Sequence, residues 1–198
     1  MAYFHLLLLF LHNYIIYCIK QNTYVIITDM KRIEINELKD NFFETIGKEW
    51  MLVTAGKKDS FNMMTASWGC IGWLWNMPVA VIFIRPERYT HEIIEKEEEL
   101  TLSFLGNSME MRVVYNICGS KSGYNCDKIK ETGLHPLCTE NGNVSFEEAR
   151  LTLVCRKLYK DNLKENNFID KSLTKWYGEK KGGYHDVYFL EIKECLIK

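Results

Sequence analysis

The sequence predicts an α+β protein built on an antiparallel β-barrel. Three observations carry that expectation. About six short stretches either alternate apolar and polar residues or run unbroken through β-branched ones, as strands do. Short segments with helical apolar spacing separate them. The 198 residues are 47% hydrophobic and 26% charged, which is enough for one globular domain with a real core, and they contain no internal repeat or low-complexity tract.

Charge and cysteine usage narrow the function classes. A net charge of −1 gives no basic field for nucleic acid. Seven cysteines (Cys18, Cys70, Cys118, Cys126, Cys138, Cys155 and Cys195) form no CxxC, and no histidine pair sits at zinc-finger spacing. An odd count suggests free thiols in a reducing, cytoplasmic setting, and without cluster spacing the chain holds no iron–sulfur centre of its own. Cys70 and Cys155 lie in apolar runs and read as small core residues. The acidic run Glu95–Glu99 reads as a solvated helix face rather than a metal site.

Residues 1–29 form an apolar extension ahead of a single domain at 30–198. Its centre, Leu6–Leu11, has no preceding Lys or Arg and no clear cleavage site, so it is a poor signal peptide. The apolar stretch Met1–Ile19 is short for a membrane helix, which needs about 20 residues. Three readings stay open: a mis-assigned start upstream of Met30, a membrane anchor through residues 1–19, or an amphipathic extension packed on the body or a partner.

Within the domain, Asn36–Ile46 has helical spacing at Leu38, Phe42, Phe43 and Ile46, with Asn36 as cap and Gly47 as stop. Trp50–Ala55 is a buried strand, and Gly56–Asn62 turns it into a second strand over Met63–Gly72. Gly69 and Gly72 mark a bend or a close approach. Trp73–Pro78 reads as a loop that ends the pairing, followed by Val79–Ile84, an apolar strand with both faces buried. Thr90 caps a helix carrying Glu92, Ile93 and Ile94. Leu100–Leu105 is a strand. Met109–Ile117 has helical apolar spacing through Met109, Val113, Val114 and Ile117. Asn125–Glu131 is a short helix stopped by Gly133. Val144–Phe146 and Ala149–Tyr159 are extended. Lys160–Gly183 is polar and irregular, with a helical piece near Leu173–Tyr177, and its length suggests a lid or a dimer arm. Tyr184–Ile197 closes the chain as a strand.

Two stretches point to a ligand. Asn62-Met-Met-Thr-Ala-Ser-Trp68 sets an amide, the hydroxyls of Thr65 and Ser67, and an indole on a strand. Arg85-Pro-Glu-Arg-Tyr89-Thr90 is a turn running into a helix start. Together they suit a flat aromatic ring with a phosphate tail, because a phosphate dianion needs N–H groups, hydroxyls and a cation, often at a helix N-terminus. Gly119-Ser-Lys-Ser122-Gly123, with Asp127-Lys128, is a second cation-bearing loop, from which Lys121 or Lys128 could reach a phosphate. Each feature has a plainer reading: Thr90 as a simple cap, the glycine loop as polar surface, Trp68 as core, His185 as an ordinary histidine. The P-loop, dinucleotide, GxSxG and HExxH patterns are absent, so a nicotinamide would bind only transiently, over a flavin.

These motifs, with Ser103-Phe104 and Phe146-Glu-Glu-Ala-Arg150, resemble the flavin reductase-like FMN-binding split-barrel family, especially its flavoredoxin branch, from about Leu38 onward. The resemblance implies a Greek-key split barrel, usually a homodimer with FMN near the subunit interface. It implies an oxidoreductase passing reducing equivalents from NAD(P)H or a redox protein through FMN. It places flavin contacts on Asn62, Trp68, Thr90, Lys128 or Lys121, and His185, which would tune the N1/O2 edge, with Thr65 and Ser67 helping to hold the ribityl phosphate. A C-terminal aromatic found near the flavin in some members has no counterpart before Lys198. The alternatives are a non-catalytic flavin- or haem-binding module, and a membrane-tethered reductase.

Overall fold

A computed structural model describes residues 30–178 and 181–198. The expectations for Met1–Ile19 lie outside the described residues. Among the described residues, ten strands run β1 Lys31–Ile33, β2 Met51–Lys57, β3 Ser60–Ala66, β4 Gly69–Leu74, β5 Met77–Ile84, β6 Glu99–Phe104, β7 Pro136–Cys138, β8 Val144–Phe146, β9 Leu151–Asn162 and β10 Asp186–Ile197. The main sheet is ordered β3-β2-β6-β9-β10-β5-β4, with β1 added to β10, and β7–β8 form a separate pair. Its pairings are antiparallel. β3 and β4 stand at opposite ends of this order, yet only Ser67 and Trp68 separate them in the chain. The sheet must therefore curl until its two edges meet. This is a mainly antiparallel split barrel, as predicted, and the split falls at Ser67–Trp68.

The expected single strand over Met63–Gly72 is two strands, because the chain crosses that split. β2 and β3 form a tight hairpin, with Lys57 opposite Ser60. The expected loop Trp73–Pro78 is also a tight hairpin. Trp75 and Asn76 take φ of 52° and 57°, the left-handed pair of a two-residue turn, and Pro78 pairs with Trp73 inside the ladder. Pro78 is tolerated because β10 reaches only as far as Val79 on that side. β5 buries Ala80, Ile82 and Ile84 against Leu102, Leu153 and Leu190, whereas Val81 and Phe83 are only partly covered. Burial on both faces therefore holds only at Val79, next to Ala80. Cys155 is core, but Cys70 is exposed, in a row Cys70–Val81–Phe189–Tyr159 across four strands. Trp75 packs on Phe189 there, centroids 6.0 Å apart.

The first helix begins later than expected. Asn41, not Asn36, caps α1 (Phe42–Glu44), and a π-helical turn carries the chain through Gly47 to Glu49. α2 spans Tyr89–Lys96 with Arg88 at its N-cap, so Thr90 sits inside the helix and does not cap it. The acidic run straddles the end of α2 and the start of β6; Glu95 accepts from Lys160 and from the Tyr188 hydroxyl, at 2.8 and 2.6 Å. His91 and Lys160 meet Asp186 at 2.8 and 2.9 Å, which ties α2 to β9 and β10.

α3 spans Met109–Ser120 and buries Val114, Tyr115 and Cys118, leaving Met109 and Val113 exposed. Tyr115 anchors the inward face: its hydroxyl accepts from Leu105 N at 2.8 Å and donates to Trp50 O at 3.1 Å. α4 is Lys128–Thr132, with Asp127 as cap and Gly133 in the left-handed region as the stop. β9 runs on through Lys160–Asn162, and the irregular stretch holds 3-10 turns at Glu165–Asn167 and Lys171–Trp176. Ser103 of the motif Ser103-Phe104 serves the core, in a buried hydroxyl cluster with Ser145 and Thr152.

Candidate functional site

Two adjoining cavities open where the barrel is split. The larger, about 340 Å³, is lined by Asn62, Arg85, Glu87, Tyr89, Thr90, Lys121, Ser122, Gly123, Lys128 and Lys181, among others. The smaller, about 170 Å³, is lined by Thr65, Ser67, Trp68, Phe83 and His185. Met64, Arg85 and Arg88 border both. All eleven residues singled out from the sequence therefore lie on one groove.

The strand–helix corner builds the buried end. Asn62 donates from Nδ2 to Thr90 Oγ1 at 2.7 Å, and both are almost fully buried. This bond explains the inward turn of Thr90. It leaves the Asn62 carbonyl oxygen facing Gly123, where an added Cβ would come within 2.4 Å of it. Tyr89 packs on Tyr124 at 4.2 Å, closing the same corner. Thr65 is engaged beneath the groove, donating to Tyr115 O at 2.5 Å.

The cations differ in what holds them. Lys128 is buried and donates from Nζ to Met63 O at 2.7 Å and Cys118 O at 3.0 Å. Burial lowers its pKa, and the nearby Arg88 lowers it further. Lys121 pairs with Glu131 at 2.6 Å. Arg88, not among the residues the sequence motifs mark, donates to Gly119 O at 2.8 Å. Its signal was present: it stands three residues after Arg85 and immediately before the helix start. Arg85 donates to the carbonyls of Trp176, Lys181 and Gly183, and lies 5.6 Å over the Tyr177 ring. Gly183 N donates to Glu87 at 3.2 Å. Gly182 (φ 89°) lies so close to this turn that a Cβ there would meet Glu87 and Arg85 within 2.4 Å.

The aromatic end is formed by Trp68, Trp176, Phe83 and His185. Trp68 is 40% exposed, so the core reading fails for it. It lies edge-on to Trp176 at 5.9 Å and tilted on His185 at 5.1 Å. His185 is buried, and its Nδ1 lies 3.3 Å from the Tyr177 hydroxyl. Burial first, then the positive charge of Arg85, pull its pKa down to about 4. It is therefore a neutral hydrogen-bonding group at neutral pH. The stretch between β9 and β10, flagged as a lid or dimer arm, lays Trp176 and Tyr177 against this end of the groove of its own chain.

Residues 43–197 match the flavin reductase like domain. The chain belongs to the flavin reductase-like family. Solved structures agree on the fold. One is an FMN-binding domain of a flavin reductases-like enzyme from Shewanella baltica, with TM-score 0.59, 14% identity, and coverage of 85% of this chain and 77% of that one. Another is the flavoredoxin of Desulfovibrio vulgaris, with TM-score 0.56, 20% identity, and coverage of 75% and 69%. A third is an NADH:FAD oxidoreductase from Streptomyces globisporus in complex with NAD and FAD fragments, with TM-score 0.55, 14% identity, and coverage of 76% and 75%. No curated protein matches the chain. Among the described residues, no helix is long and apolar enough to cross a membrane.

Proposed function

We propose that residues 30–198 form one flavin-binding oxidoreductase unit that holds FMN in the groove at the barrel split. The observation that supports this most is the convergence of residues from five separate segments on two joined cavities, one cationic and hydroxyl-rich, the other aromatic. The fit is local as well as general. The Asn62–Thr90 bond and the close approach of Gly123 make a polar corner without room for a side chain. The first turn of α2 borders that corner, and N–H groups of a first helical turn have no partner within the helix.

In this reading Asn62, Thr90, Ser122, Lys128 and Arg88 take the phosphate. Thr65, Ser67 and Tyr89 border the ribityl chain. Trp68 covers the ring, and neutral His185 donates toward the N1/O2 edge, where negative charge grows on reduction. Bound flavin supplies the redox chemistry; the chain supplies position, electrostatics and exclusion of water. The donor is NAD(P)H or a redox protein. A cytoplasmic homodimer belongs to the same reading, with the row Cys70–Val81–Phe189–Tyr159 available for a second copy to cover.

An anaerobic absorption titration tests it. FMN added to apoprotein should saturate at one per chain, and NADH or NADPH should bleach the band near 450 nm (roughly that of free flavin). Failure to bind riboflavin, FMN or FAD would overturn the reading. Binding without reduction by either nicotinamide or by a reduced redox protein would favour the non-catalytic module.

A further inference from the structure

His185 reaches the groove with one ring nitrogen engaged and the other open. Its Nδ1 lies 3.3 Å from the Tyr177 hydroxyl. Its Nε2 has no hydrogen-bond partner among the described residues, and the ring lines the smaller cavity. A neutral imidazole carries one proton, and the hydrogen bond made by one nitrogen decides which of the two holds it.

Tyr177 comes from the stretch between β9 and β10, and its neighbours fix it firmly. Its ring stacks on Tyr184, centroids 4.5 Å apart and planes 20° from parallel, and Phe168 packs on the two rings at 5.7 and 5.8 Å. The Arg85 guanidinium lies 5.6 Å from the Tyr177 centroid. Arg85 also ties the chain on either side of the tyrosine, donating to Trp176 O at 3.2 Å before it and to the carbonyls of Lys181 and Gly183 after it. A planar fork of N–H groups serves three acceptors at once, which an ammonium on a flexible stem does not. Gly178 N donates to Gly182 O at 3.1 Å, closing the turn, and Gly183 N donates to Glu87 at 3.2 Å. A Cβ at Gly182 (φ 89°) would collide with Glu87 and Arg85. The clamp is placed by the barrel itself: Arg85 follows Ile84 of β5, which pairs with Asp186 of β10, so it stands beside His185 in register. Burial raises the pKa of Tyr177, so its hydroxyl keeps its proton and can donate it.

We propose that Tyr177, clamped by Arg85 and Gly182, is a positioning residue whose hydroxyl donates to His185 Nδ1 and so fixes the tautomer with its proton on Nε2. This rests on the flavin reading and deepens it, because only that tautomer can donate from the open nitrogen toward the N1/O2 edge. The tautomer itself is a property of the ligand-free chain.

Nitrogen NMR of the His185 imidazole in full-length apoprotein, near neutral pH, tests it without any flavin. The proton should sit mainly on Nε2. Tyr177→Phe keeps the ring packing, removes the hydroxyl, and should move the tautomer ratio about fivefold toward Nδ1, the effect of one lost hydrogen bond. Arg85→Lys keeps the charge but not the fork, and it should move the ratio in the same direction, as should Gly182→Ala. With FMN bound, Tyr177→Phe should lower the preference for reduced over oxidised flavin by a similar factor, read from the midpoint potential. A proton mainly on Nδ1 in the unaltered protein, or a ratio that Tyr177→Phe leaves unmoved, overturns the proposal while leaving a flavin site intact. The expected tautomer and its shift in a protein that binds no flavin uphold the clamp and overturn the flavin reading instead.

Discussion

Two cationic clusters in this chain are built on opposite principles. Arg150, in the motif Phe146-Glu-Glu-Ala-Arg150, meets Asp40 at 2.6 Å and Glu49 at 2.6 and 2.9 Å, and Glu49 also accepts from Gly106 N at 2.6 Å. Burial works against its charge, but the carboxylates of Glu49 and Asp40 prevail, so its pKa is raised. At the groove, Arg85, Arg88 and Lys128, among the described residues, donate hydrogen bonds only to carbonyl oxygens, and the pKa of Lys128 is lowered. The first cluster is complete within the chain and serves the fold, pinning the α1 segment to the turn before β9. The second is electrostatically incomplete. Charge placed without a counter-ion is costly unless something else supplies one, and that asymmetry separates a binding cluster from a structural one here.

The largest expected effect comes from adding charge to the incomplete cluster. His185 has its pKa depressed from 6.5 to about 4 by burial and by Arg85. Its neutral form therefore contributes stability that is complete above the ordinary histidine value. That contribution is lost as pH falls from 6.5 toward 4. The shift corresponds to at most about 3 kcal/mol. Urea melts across this window should show the loss, and His185→Gln should flatten it. Removing the centre of the complete cluster comes next. Arg150→Ala strands the carboxylates of Asp40 and Glu49 and should cost about 2 kcal/mol, discounted because Arg150 is partly exposed. Flavin affinity should not change. A weaker flavin complex with unaltered stability would reverse the roles assigned to the two clusters.

Trp68→Ala touches the groove without touching its charge. The fold should melt as before, because the indole is 40% exposed, while FMN affinity should fall about fivefold from lost ring contact. Unchanged retention of flavin would remove Trp68 from the site.

The chemistry of the site was more legible in the sequence than its geometry. Asn62, Thr65, Ser67, Trp68, Thr90 and His185 stood out because polar and aromatic side chains interrupt strand patterns or open turns, and all line the groove. What periodicity could not show was the crossing at Ser67–Trp68, since the runs on both sides are β-like and only long-range pairing separates β3 from β4. Threonine suits a cap position, but the Thr90 hydroxyl is drawn to Asn62, 28 residues away. Arg88 has a local signal, its place just before the helix start, but its partner, the carbonyl of Gly119, is set only by the fold. The apolar spacing of α3 does not show which face turns inward, because the buried Tyr115 at its centre is held by two backbone groups from other elements.

Lys121 gives the smallest effect and the sharpest test of the comparison. From the residues alone either lysine could reach a phosphate, although the resemblance puts the contact on Lys128 first, and both border the cavity. The structure separates them by their partners. Lys121 is paired with Glu131 across an exposed surface, which raises its pKa, whereas Lys128 is buried against two carbonyls. An anion entering the cavity must compete with Glu131 for Lys121, and it meets no such competitor at Lys128. Lys121→Ala should therefore change FMN affinity less than about twofold, as for most exposed ion-paired side chains. Lys128→Met keeps the buried volume apolar but removes the charge, and should weaken FMN by about tenfold or more. Titrations of both variants at two ionic strengths decide between them. If the Lys121 variant shows the larger loss, the absence of a counter-ion is not what marks a ligand-binding cation in this groove.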